Sequence, residues 1–141
     1  MSTFQSLIRL HRWQLDERRR ELAALEALAA KLAEERRKLE AEDERERQVA
    51  SGSPEAAFAY AGYARSLIDR RRRLAQSEAE LARQIAEARE ALAEAYQEVK
   101  RYETAEANRE KQLEQRAARR EQQQLDELGL ERFRRKSAGG E

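Results

Sequence analysis

The chain has 141 residues, 40% of them charged, with one proline and no cysteine; this leaves room for one domain at most and excludes disulfides and cysteine-based zinc sites. Its 29 basic and 28 acidic residues nearly cancel to a net charge of +1, which leaves little of the uniform field that draws a protein onto nucleic acid. No apolar run approaches the roughly 20 residues that span a bilayer, and the mixture of Ala, Glu, Arg, Leu and Gln is that of a coiled coil or long helix.

The N-terminal stretch MSTFQSLIRLHRWQL lacks the apolar centre of a secretory signal. It is rich in Arg, but Asp16 and Glu17 follow at once, and Phe4 and Ile8 fall in phase with the residues beyond. It therefore reads as the start of the first helix, predicted over about 3–49. A seven-residue repeat runs through that helix. Phe4, His11, Arg18, Leu25, Leu32 and Leu39 occupy one position, and Ile8, Leu15, Leu22, Ala29 and Arg36 the other. A period of 3.5 keeps these side chains on one seam of a left-handed supercoil. His11, the only histidine, is expected to pack on the seam near Leu92.

Helix breakers cluster internally at Ser51-Gly52-Ser53-Pro54, which predicts a turn over 50–53. Pro54 suits the first position of a helix, where its missing N–H is not needed. Ser53 is then the N-cap, and Glu55 sits favourably at the positive end of the helix dipole. Gly52 can supply the positive φ that closes the preceding helix.

A second helix is predicted over about 54–135, followed by a frayed tail over 136–141. Tyr60, Leu67, Leu74, Leu81, Ala88, Ala95 and Tyr102 form one seam row, and Ala64, Arg71, Glu78, Ile85, Leu92 and Val99 the other. So short a connection folds the helices back on each other. The fold class is therefore all-α: one antiparallel coiled-coil hairpin over 1–141, with the second helix the longer.

Pairing Leu22 with Leu81 also sets Leu39 against Ala64, Ala29 against Leu74, Leu15 against Ala88 and Ile8 against Ala95. Large residues then face small ones, which fills a narrow seam evenly, and the apex falls in the turn. Slipping by one heptad moves the apex into the second helix. Arg18, Arg36, Arg71 and Glu78 interrupt the seam; their stems can lie along it with the charge in water. Stability near Arg36, Arg71 and Glu78 is expected to be low. In this register the second helix has no partner beyond about Tyr102. A polar helix left alone is marginal in water, so this stretch, with Leu113, Leu125, Leu128, Leu130 and Phe133, is expected to dock into another protein.

No phosphate-binding glycine loop occurs, and carboxylates on solvated helices lack the pocket that perturbs their chemistry. Neither an enzyme nor a cofactor or metal site is expected. The run Arg70-Arg71-Arg72-Arg73 reads as a solvated face compensated by Asp69, Glu78 and the facing helix, in preference to an RNA or acidic-partner site. Phe58, Tyr60 and Tyr63 fall within six residues beside the turn. Tyr60 belongs to the seam, but the seam cannot hold all three, and exposed aromatics form docking patches. Trp13 also lies off the seam.

Three segments taken in order resemble the FliJ family of flagellar type III export proteins, which is related to injectisome stalk proteins. They are Phe4-x-x-Leu7-x-x-Leu10 followed by Leu15-Asp16-x-x-Arg19, then Tyr60-x-x-Tyr63-x-x-x-Leu67, then Arg120-Glu121-Gln122-x-x-Leu125-Asp126-Glu127. The hairpin plan, the longer second helix and the length agree with that family over nearly the whole chain. The resemblance implies a stalk-like coiled coil that docks the hexameric export ATPase, links it to the cytoplasmic domain of the membrane export gate, and escorts export chaperones. It also implies a cytoplasmic protein, peripheral at the inner face of the membrane through its partners, with no nucleic-acid ligand. Carried over by position, Phe58, Tyr60, Tyr63 and Leu67 would face the gate. Arg120, Glu121, Leu125, Asp126, Glu127 and Phe133 would face the ATPase. The sequence departs from the family near the turn, where 42–47 are all charged and some members carry aromatics. Alternatives are a generic scaffold dimerising through 103–135, an injectisome stalk, and an RNA-contacting helical arm.

Overall fold

The computed structural model describes residues 3–139. It is an all-α helical hairpin of two helices, α1 (Thr3–Ala50) and α2 (Pro54–Ala138), with no strand among the described residues. No helix among these residues is long and apolar enough to cross a membrane.

Local chemistry explains the break between the helices. The Ser53 hydroxyl accepts a hydrogen bond from the Ala56 N–H at 3.1 Å, satisfying one of the donors that a helix start leaves open. Pro54 occupies the first helical position and Glu55 the first turn. At the end of α1, Ser51 N–H donates to the Arg47 carbonyl at 3.2 Å and Gly52 N–H to the Val49 carbonyl at 3.1 Å. The second of these is a tighter, 3₁₀-type closure. The expected positive φ at Gly52 does not occur; no described glycine adopts one. The tighter bond ends the helix without a left-handed residue. Helix α2 runs on through Ala138, into the stretch expected to fray. Gly140 and Glu141 of that expected tail lie outside the described residues.

The chain divides into two compact units. The first comprises Arg12–Gln97. Within it α1 and α2 run antiparallel around the seam that the heptads predict, burying Leu15, Leu39, Leu67 and Leu81. Between these layers the seam charges meet each other. Arg36 Nε donates to Glu78 Oε1 at 2.9 Å. Arg71 Nε donates to Oε1 of Glu40, which flanks the seam, at 2.8 Å, and off the seam the exposed Arg89 lies 3.7 Å from Glu26. The expected weak points at Arg36, Arg71 and Glu78 are thus bridged across the two helices. The register also differs from expectation. Opposing Leu22 with Leu81 would put Arg36 against Leu67, far from Glu78. The partners of Arg36 and Arg71 fit a displacement of about one heptad along α2. Packing of large against small residues took no account of charges that must find partners when half-buried.

The second unit comprises the residues up to His11 and those from Glu98 onward. Ile8 and Val99 are buried. The His11 ring stacks on Tyr102 with centroids 4.5 Å apart, where Leu92 had been expected. Glu106 is buried as well, at 9% exposure. Pairing therefore continues to about Glu106, and the fully exposed part of α2 starts at Ala107.

Candidate partner-docking surfaces

Two stretches carry the candidate contacts: the start of α2 beside the turn, and its exposed C-terminal part. At the turn, the polar side chains are organised by Asp43, a seam residue at 3% exposure. A buried carboxylate is tolerated only with partners, and Asp43 has three. The Tyr60 hydroxyl donates to its Oδ1 at 2.7 Å. Arg47 Nε lies 3.1 Å from Oδ2, and the Arg71 guanidinium donates to Oδ2 at 3.2 Å. Arg47 Nε also donates to the Tyr60 hydroxyl oxygen at 3.0 Å, which closes the network.

A second bridge lies alongside. Arg70 donates through both terminal nitrogens to the two Glu42 carboxylate oxygens, each at 3.3 Å. This fork-to-fork geometry suits a guanidinium and a carboxylate. The hydrogen bond from Arg70 holds the Glu42 carboxyl below its ordinary pKa, and that from Arg71 does the same for Glu40. Arg70 and Arg71 are raised in turn by hydrogen bonds to Glu42 and Glu40. Arg47 is raised by its bond to Tyr60. Two of the four consecutive arginines are therefore spent on the facing helix. Glu42 and Asp43, in the charged stretch 42–47, are among their partners.

The aromatics divide accordingly. Phe58 is 85% exposed, with Val49 also exposed at the end of α1. Tyr60 is half-buried and engaged with Asp43. Tyr63 is half-buried, and its ring lies 5.8 Å from that of Tyr60. Its hydroxyl is buried outside hydrogen-bonding geometry with any described group. Burial, then the nearby Glu42 charge, pushes its pKa up. Leu67, expected on the outward surface, is the most buried side chain described, at 2% exposure. It is a seam residue, and its burial leaves nothing for a partner to touch. Phe58 is thus the accessible member of the four. Sequence reasoning missed Asp43, whose signal was its place one heptad beyond Arg36 on the same seam row.

In the C-terminal stretch every residue from Ala107 through Ala138 is exposed. Arg120, Glu121, Leu125, Asp126, Glu127 and Phe133 all lie there. Gln122 Nε2 donates to Asp126 Oδ1 at 3.1 Å, and Arg135 pairs with Glu131 at 2.9 Å. These bonds stay within one helix. Leu113, Leu125, Leu128, Leu130 and Phe133 are each about half exposed or more. Gly129 lies between Leu125 and Phe133 at four-residue spacing, so the three share a face. A Cβ at Gly129 would meet nothing within 4 Å. That combination, apolar side chains flanking a bare backbone position, suits close approach by another protein. No group of three or more carboxylate or imidazole side chains arranged to hold a metal occurs among the described residues.

The family model described as Flagellar FliJ protein matches residues 1–138. No curated protein and no solved structure matches the chain.

Proposed function

The chain belongs to the flagellar FliJ protein family, a component of flagellar export, and from that membership we infer that it acts as the stalk between an export ATPase ring and the membrane export gate. The exposed stretch 107–138 is the ATPase-facing part. It presents Leu125 and Phe133 around Gly129, with Arg120, Glu121, Asp126 and Glu127 on neighbouring positions. The turn end meets the cytoplasmic domain of the gate through Phe58, backed by Tyr60 and Tyr63. Leu67 holds that surface from beneath without touching the partner. Export chaperones are escorted on the same chain. Association with the membrane runs through the gate protein alone, and the chain itself is cytoplasmic. It works as a regulator of the ATPase and has no catalysis of its own.

The observation that carries this reading is an exposed α2 stretch of about thirty residues bearing five large apolar side chains. An isolated helix of such polarity gains little from its own propensity, and docking supplies the missing burial. The test is truncation after Glu106. Pull-down with the export ATPase should fail for the shortened chain while pull-down with the gate domain persists. Undiminished ATPase capture would refute the assignment. The same capture with Phe58→Ala, probed against the gate domain, tests the other end.

A further inference from the structure

The heptad rows of the unit Arg12–Gln97 admit two registers. In one, set by apolar packing, Leu22 opposes Leu81 and Leu39 opposes Ala64. In the other, displaced by about one heptad, the seam charges pair as observed: Arg36 with Glu78, and Arg71 with Glu40 and Asp43. A heptad repeat makes the two equivalent in phase, because the same seam rows face each other in both. Something besides the repeat must choose between them.

We propose that Arg36 and Arg71, with Glu78, Glu40 and Asp43, form a charge clasp that selects the register of the hairpin. Arg71 is central because it spans two carboxylates on α1 and brings its charge to the buried Asp43. If the packing register formed, Arg36 would face Leu67 and Arg71 would face Leu32. Both guanidiniums would lose their carboxylates. Half-exposed pairs of this kind add little net stability, and the clasp acts through specificity, as a single polar seam residue does in a coiled coil. The clasp also places the α2 start, and with it Phe58, at a fixed height relative to the end of α1.

The chain has no cysteine among its residues, so distances can be read cleanly from spin labels at Ala33→Cys and Glu90→Cys, both exposed positions. A one-heptad slip moves the labels apart by about 10 Å, seven residues at 1.5 Å each. The otherwise unchanged chain should give one distance. Arg36→Leu with Arg71→Leu removes the clasp and leaves the choice to apolar packing, and a second, longer distance should appear. Arg36→Lys with Arg71→Lys keeps the charge and should keep the single distance. A single unshifted distance in the Leu variant overturns the proposal, and so does a slip in the Lys variant. If circular dichroism shows that the Leu variant has lost its helices, Arg36→Glu replaces it. That change should bring the longer distance, and adding Glu78→Arg should remove it. No change with Arg36→Glu overturns the proposal equally.

Discussion

Leu67 and Phe58 stand nine positions apart on α2 and should respond to truncation in opposite ways. Leu67 is 2% exposed and Phe58 is 85% exposed. Removing a buried leucine to its Cβ loses the transfer energy of the side chain and leaves a cavity, together costing about 2–4 kcal/mol at a site that can only partly collapse. The seam here is one layer thick and bounded by solvent, which places the cost toward the lower end. Leu67→Ala should therefore lower the melting temperature by something on the order of 10 °C, read by circular dichroism in the helical band. Phe58→Ala removes a side chain that folding leaves in water, and its effect on stability should stay within about 0.5 kcal/mol. Capture of the gate domain should reverse the order. Phe58→Ala should weaken it sharply, while Leu67→Ala at a temperature well below its own midpoint should leave it near normal. A Leu67→Ala chain that melts with the parent would show that the side chain is not in the seam. A Phe58→Ala chain that melts early would show that this ring is packed, and the docking assignment would fall with it.

Acid should loosen the turn end. Glu40 and Glu42 have pKa values lowered by hydrogen bonds to Arg71 and Arg70. Their contribution to folding is fully present above the ordinary carboxyl value of 4.5 and is lost as pH falls through the lowered folded values. The melting temperature should drop below about pH 4.5, and Glu40→Gln with Glu42→Gln should flatten that part of the profile. Gly129 has open space around the site of a Cβ, and glycine costs an exposed helix interior about 1 kcal/mol relative to alanine. Gly129→Ala should slow amide exchange over 125–133 in the free chain and, by filling the bare position, weaken ATPase capture. Faster exchange in this variant would mean that the stretch is not helical in solution.

Much of this architecture was legible from residue order alone. The seven-residue rows predicted which apolar side chains are buried, because a 3.5-residue period admits only one apolar seam per helix. Ser53 and Pro54 predicted the start of α2, because cap and first-turn chemistry is local. Register was not legible in the same way. It depends on which half-buried charges find each other across the two helices, and Arg36 with Glu78 is a contact between residues forty-two apart. The same omission misplaced His11, which stacks on Tyr102, and ended the pairing too early on α2. Leu67 shows a different failure. Its seam position was read correctly, yet family resemblance also placed it on an outward surface, and one side chain cannot occupy both. For the C-terminal stretch, sequence and structure say the same thing from two sides: few apolar residues, and none of them covered.

Hydrogen exchange along the whole chain, with and without the hexameric export ATPase, tests the central claim most directly. Free in solution, 107–138 should exchange far faster than the paired seam of 12–97, and adding the ATPase should protect 107–138 selectively. Protection confined to 12–97, or a slow-exchanging 107–138 in the chain alone, would contradict it.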